Sequence, residues 1–312
     1  MTARAGRIGG WFFPSARPER LAVLRVLVGS FALLYVGVRA RVYLSLADAD
    51  PSRFEPVGVL SLLPAPVPDR VLVGCYAVAV AGGIGFVTGS WFRVSGPAFA
   101  LSLLALSTYR SSWGQILWLE NVMVLQVLIV GFARSADALS WRRARRGLGT
   151  QGDHCAAHAN ASETYGVPVR LAALVTVATY VLSAVAKIRL AGMAWITSDS
   201  LRNHVAGSIV RAELLDAPSS PVGRWLVGYA WLFPPLAAAS LALELASPIA
   251  LAGGRLRDVW VALAWLMHLS VAVLMYVVFP YPLFLIAFAP FYNLEHLAVF
   301  WRRLRLHTSA AA

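Results

Sequence analysis

Charge is scarce in this chain: Asp, Glu, Lys and Arg make up 13% of its 312 residues, while 59% are hydrophobic and the mean hydropathy is +0.67. A typical soluble domain carries about 25% charged residues. A soluble enzyme of this composition would have to hide more apolar surface than its interior holds, so that class is excluded. Cysteine is scarcer still. Two cysteines, Cys75 in an apolar run and Cys155 in a polar one, rule out a disulfide scaffold and a Cys-rich metal module, and their settings give no reason to pair them. No Walker loop, Rossmann glycine pattern, HExxH or GxSxG occurs, which removes nucleotide, zinc-protease and serine-hydrolase chemistry.

Lysine is nearly missing. Of the 27 Lys and Arg residues 26 are arginine, and Lys187 is the single lysine. Against 15 acidic residues this leaves a net charge of +12. In a soluble chain such an excess would suggest nucleic acid. In one this apolar it reads as loop charge on a multi-span membrane protein, whose partner is the lipid bilayer and not a nucleic acid.

Long apolar runs are what the sequence has in quantity. A helix needs about 20 largely apolar residues to cross the hydrocarbon layer. Eight stretches are candidates, at residues 21–38, 70–89, 97–109, 114–133, 168–190, 225–252, 258–279 and 282–300. They predict an all-α fold, a polytopic integral membrane bundle of about eight transmembrane helices, with one transmembrane domain over residues 1–312, a core at 11–305 and no separate soluble domain. The third stretch is short, the sixth is expected to kink at Pro234 and Pro235, and the eighth follows a reversal at Phe279, Pro280, Tyr281 and Pro282.

Orientation follows from the arginines. With the N-terminus inside, sixteen fall in inner segments and nine in outer ones, and Arg25 lies within a span. The bias predicts a multi-pass cell-membrane protein with both termini cytoplasmic. The first ten residues lack an apolar h-region, so a cleaved signal peptide is not expected, and Trp11, Phe12, Phe13 and Pro14 read as an interfacial foot.

Ionisable residues inside spans are costly and usually face a cavity or the bundle interior. Counting about 1.5 Å per residue puts Glu120 and Asn121 near the outer end of the fourth stretch and Lys187 near the outer end of the fifth. Opposite charges at one depth suggest a pair, or a shared outer-leaflet cavity. The same count puts Arg25, Glu244, Glu295 and His296 in the inner half as a structural charge network, and His268 near the middle of the seventh stretch. Tyr180, Ser183 and Lys187, spaced by three and four, share one helix face. A desolvated lysine can act as a neutral base whereas arginine cannot, so a single lysine at the end of an apolar helix is a candidate base. The competing reading is an interfacial lysine that snorkels to the headgroups. Trp195 and His204 follow in the next outer loop. The His154-Cys155-x-x-His158 group falls short of the four ligands of a structural zinc site, so no metal is expected.

The order of these landmarks resembles the horizontally transferred transmembrane (HTTM) domain, the membrane part of vitamin K-dependent gamma-carboxylases. The matching pieces are Arg20-Leu-Ala-Val-Leu-Arg25-Val, Ser112-Trp-Gly-Gln-Ile-Leu-Trp-Leu-Glu-Asn121 and Tyr180-Val-Leu-Ser-Ala-Val-Ala-Lys187, then Trp195, Leu201, and His268 ahead of Phe279, Pro280, Tyr281 and Pro282. The resemblance implies that Lys187 matches the base that deprotonates reduced vitamin K; oxygen then yields a strong base that abstracts a glutamate proton before CO2 adds. It implies a reduced quinone as substrate, and a redox or peptide-modifying protein as partner. Two departures stand out. Asn121 matches the first member of an Asn-His pair, but Val122 takes the histidine's place, which leaves Glu120 or His268 to assist Lys187. The large soluble domain that binds the carboxylase substrate is not expected here, so protein carboxylation is not implied. Two readings remain open. One is an enzyme acting on a reduced quinone or similar lipid, with Lys187, His268 and Glu120 catalytic and Asn121, Tyr180, Ser183, Trp195 and His204 binding. The other is a non-catalytic bundle that binds lipid or supports a partner protein.

Overall fold

The computed structural model describes residues 10–114, 120–140 and 161–298; the arginine cluster at 141–146 and the His154, Cys155 and His158 group lie outside them. The described residues form helices and no strand, and they divide into two compact units, Met1–Ala172 with Tyr292–Ala312, and Ala173–Phe291.

In the first unit, α1 (Pro18–Val38) starts on a proline, whose missing N–H is no loss at a first helical position, and Glu19 favours the positive end of the helix dipole. A short α2 (Ala40–Leu44) follows. Then come α3 (Asp69–Thr88), α4 (Phe92–Ser111), α5 (Asn121–Phe132) and the start of α6 (Glu163–Ala191). α1 and α4 each pack on both α3 and α5, which closes a ring of four helices. Gly96 and Gly131 bring α4 and α5 together backbone to backbone: a Cβ on Gly96 would lie 2.5 Å from the Gly131 carbonyl oxygen. Close approach through small residues is how helices associate where lipid removes the hydrophobic drive between them.

Arg25 is fully buried on α1. Its Nη2 donates to the Leu139 carbonyl at 2.6 Å, and the guanidinium lies 5.5 Å from the centroid of the Phe92 ring. Gly89 ends α3 in the left-handed region (φ 70°) and also makes room for this cation, since a Cβ there would sit 2.3 Å from Arg25 Nη1. Polar side chains thus point inward, with Arg25, Ser102, Glu120 and Gln126 buried, while Leu34, Val38, Ile84, Leu101 and Phe132 are exposed. That inversion of the soluble pattern suits a hydrocarbon solvent.

The second unit takes the rest of α6 and adds α7 (Ala194–Thr197), α8 (Ser200–Leu214), α9 (Pro221–Val227), α10 (Phe233–Leu245), α11 (Gly254–Met275) and α12 (Pro280–Leu283). Turns of 3-10 helix at Ala230–Leu232, Ser247–Ala252 and Ile286–Phe291 interrupt it. Each break frees backbone groups that an apolar medium leaves unsolvated, and side chains take them up. Ser220 caps α9 by accepting from the Gly223 N–H at 2.8 Å and donates to the Val273 carbonyl at 2.6 Å. Ser247 donates to the Val177 carbonyl at 3.2 Å, and the indoles of Trp260 and Trp265 donate to the Leu243 and Leu283 carbonyls, both at 3.0 Å. Here too Thr176, Glu244, Ser247 and His268 are buried while Leu182, Val259, Leu263 and Leu266 face outward.

Four helices, α1, α3, α6 and α11, are long and apolar enough to cross a membrane; α9 with residues 230–245, bent by 98°, makes a fifth candidate. These correspond to the first, second, fifth, seventh and sixth expected stretches. The others differ. The third becomes the 20-residue α4, longer than its apolar run, with Pro97 tolerated in the second turn. The fourth yields the 12-residue α5, and residues 115–119 lie outside the described part. The sixth is not one kinked helix: Pro234 and Pro235 stand in the first turn of α10, where proline starts a helix. The eighth, interrupted by Pro282 and Pro290, contains no long helix among the described residues.

Candidate functional site

The last turns of α6, the short α7 and the first turn of α8 line an open cavity of about 640 Å³ in the second unit. Ser183 and Lys187 reach it from α6 because they lie one turn apart on the same face. Gly192, in the left-handed region at φ 57°, turns the chain after α6, so that Trp195 faces back across the space. Ser200, Asn203 and His204, at spacings of three and four, form the α8 wall. The Lys187 ammonium lies 5.1 Å from the centroid of the Trp195 ring, and the Trp195 and His204 rings are 5.7 Å apart. Trp195 Nε1 is buried, with no hydrogen-bond partner among the described residues.

Behind Lys187, away from the cavity lining, stands Glu244 near the end of α10. Its Oε1 takes an ion pair from the Lys187 ammonium and a hydrogen bond from the Ser183 hydroxyl at 3.3 Å. Glu244 is only 4% exposed, and its Oε2 has no hydrogen-bond partner among the described residues. Depth counting had put Glu244 in the inner half and Lys187 in the outer. The 98° bend ahead of α10 defeats that count, because distance along the chain from residue 225 is no longer distance along one axis.

Two turns below Lys187, the Tyr180 hydroxyl lies 2.7 Å from His268 Nε2 in a buried pair. Trp260 and Phe288 pack around the tyrosine ring at centroid distances of 5.0 and 6.4 Å, and Phe279 lies 4.9 Å from the imidazole. Neither Tyr180 nor His268 lines the cavity.

The first unit holds the remaining candidates. Glu120 is buried, and Arg110 and the Tyr35 hydroxyl both bond its Oε1; Arg39 lies over the Tyr35 ring at 4.0 Å. Arg110, at the end of α4 and close in sequence, meets this carboxylate through its Nη1. Asn121 opens α5 and is exposed.

Of the eight residues singled out from sequence, Lys187, Ser183, Trp195 and His204 therefore surround one cavity. Tyr180 and His268 pair beneath it, and Glu120 joins a separate ion-pair cluster with Asn121 beside it in the chain. Glu244, Ser200 and Asn203 were missed. The α8 residues carried a usable signal, their i, i+3, i+4 spacing with His204. Among the described residues no three His, Cys, Asp or Glu side chains gather as a metal site would need. No family model, curated protein or solved structure matches the chain.

Proposed function

We propose that the chain is a cell-membrane protein of eight spans with both termini cytoplasmic, similar to the HTTM domain, and that the Lys187 cavity binds the hydroxylated head of a reduced quinone or similar lipid. Lys187 moves a proton at that head's oxygen, Trp195 packs on its ring, and His204, Asn203 and Ser183 supply hydrogen bonds. One observation carries the reading: the single lysine of an arginine-rich chain borders a cavity whose walls combine an indole, an imidazole, an amide and two hydroxyls with Ala186, Leu190 and Ala191. Few convergent polar groups in an otherwise apolar pocket is the usual make-up of a small-molecule site.

The single lysine also supplies the test. An aryl fluoride that arylates amines, followed by peptide mass spectrometry, reads Lys187 with no other lysine to confuse it. Menadiol, a reduced naphthoquinone, should protect Lys187 from labelling in a saturable way. Unchanged labelling at saturating menadiol would sink the reading.

The second reading, a lipid-binding bundle without catalysis, draws on the Lys187–Glu244 ion pair, which gives the ammonium a structural partner with no substrate involved. Turnover separates the two, because binding alone protects the lysine in either case.

A further inference from the structure

An ammonium has no lone pair with which to take a proton, and Lys187 is ion-paired with a buried carboxylate. The carboxylate, in turn, sits behind the lysine and cannot reach a ligand in the cavity. Both difficulties vanish if the two groups act in series. We propose that Lys187 and Glu244 form a proton relay, in which Glu244 is the final acceptor of a proton taken from a hydroxyl bound in the cavity. This rests on the reading of the cavity as a site for a hydroxylated head.

The step balances without any co-reactant. The ligand O–H bond breaks and a new N–H bond forms on Lys187 Nζ, while one of the ammonium's own N–H bonds breaks and an O–H bond forms on Glu244. The negative charge passes from the carboxylate to the ligand oxygen. The lysine is an ammonium before and after, and it ends beside the new oxyanion, which it stabilises.

Three features favour this arrangement. Lys187 is the one residue that touches both the cavity and Glu244 with a titratable group. Glu244 is 4% exposed, so a proton delivered to it is kept from bulk water. Its Oε2 has no donor among the described residues, whereas a carboxylate built to stay ionised generally accepts hydrogen bonds on both oxygens. Ser183, on the same oxygen as Lys187, fixes the carboxylate's rotation without occupying Oε2. The groups facing Glu244 are Lys187 and Ser183 from α6, with Tyr180 of the same helix within electrostatic reach and Trp260 from α11 bonded to the adjacent Leu243 carbonyl. Glu244 is thus a positioning residue that acts through Lys187.

The test uses the purified full chain in detergent and para-nitrophenol, a neutral aromatic hydroxyl whose ionisation is visible, at a pH below the free phenol's own titration. The expected result is threefold: the probe binds and protects Lys187 from arylation, the bound probe shows the phenolate band, and a carboxylic-acid stretch appears in the infrared difference spectrum without proton release to a weakly buffered medium. In Glu244→Gln the acid stretch should be lost, and any phenolate that forms should release about one proton to the medium, the proton that Glu244 would have held. The native measurement stands alone should that variant fail to fold. Binding with a phenolate band but no acid stretch, or with a proton released by the native chain, overturns the relay and leaves the cavity reading intact. Binding with the phenol un-ionised overturns the relay too. Absence of binding overturns the cavity reading, and the relay with it.

Discussion

The Tyr180 hydroxyl and His268 Nε2, 2.7 Å apart, bind α6 to α11 through a buried pair whose other imidazole nitrogen, Nδ1, has no partner among the described residues. Removing the hydroxyl with Tyr180→Phe leaves a buried ring with neither nitrogen bonded, at a cost of about 1–3 kcal/mol. Combining it with His268→Leu, which removes the orphaned nitrogens as well, should recover most of that loss. Thermal unfolding of the single and double variants in detergent gives the coupling; losses that simply add would show that the pair is not a unit.

Glu120 serves two donors from two helices, Tyr35 on α1 and Arg110 on α4. Glu120→Ala strands the arginine in a half-buried position and should destabilise by about 3–5 kcal/mol. The rate at which Lys187 is arylated should stay as in the native chain, because Glu120's charge is spent on Arg110. A clear rise in that rate would return Glu120 to the electrostatic setting of Lys187.

Lys187→Arg separates a proton-transferring group from a cationic tether. Arginine keeps the positive charge for Glu244 and for the Trp195 ring, so expression and melting temperature should change little. Oxygen uptake driven by menadiol should fall to the uncatalysed level, since the guanidinium is a very poor proton relay. Retained uptake would make Lys187 a cationic tether and not the proton-transferring group, and a native chain with no catalysed uptake would favour the non-catalytic reading.

The proposed topology, with its outer and inner segments, is open to impermeant maleimide labelling in a background where Cys75 and Cys155 are replaced by alanine. Ser61→Cys should react from outside intact cells, and Arg255→Cys only after permeabilisation. Both side chains are exposed in the structure, so failure to react reports sidedness and not burial.

The long helices were legible in advance. Expected limits of 21–38, 70–89, 168–190 and 258–279 fall within a few residues of α1, α3, α6 and α11, because an uninterrupted apolar run of that length has one way to satisfy its backbone. Stretches six and eight were not, since mean hydropathy ignores whether proline falls inside a helix or at its start. The cavity residues Ser183, Lys187, Trp195 and His204 were readable for a related reason: they lie close together in the chain, on α6 and just beyond it. Glu244 was hidden by the bend that carries it to Lys187, and the Glu120–Arg110 contact by reading depth along a span where the deciding factor was a nearby guanidinium.

The shortness of α10 has a consequence for the lipid around it. Its 13 residues span about 20 Å at 1.5 Å per residue, against a hydrocarbon thickness of about 30 Å. Placed in a bilayer, α10 needs the α9 side of its bend or the Ser247–Ala252 turn to complete a crossing, or the leaflets must thin around it.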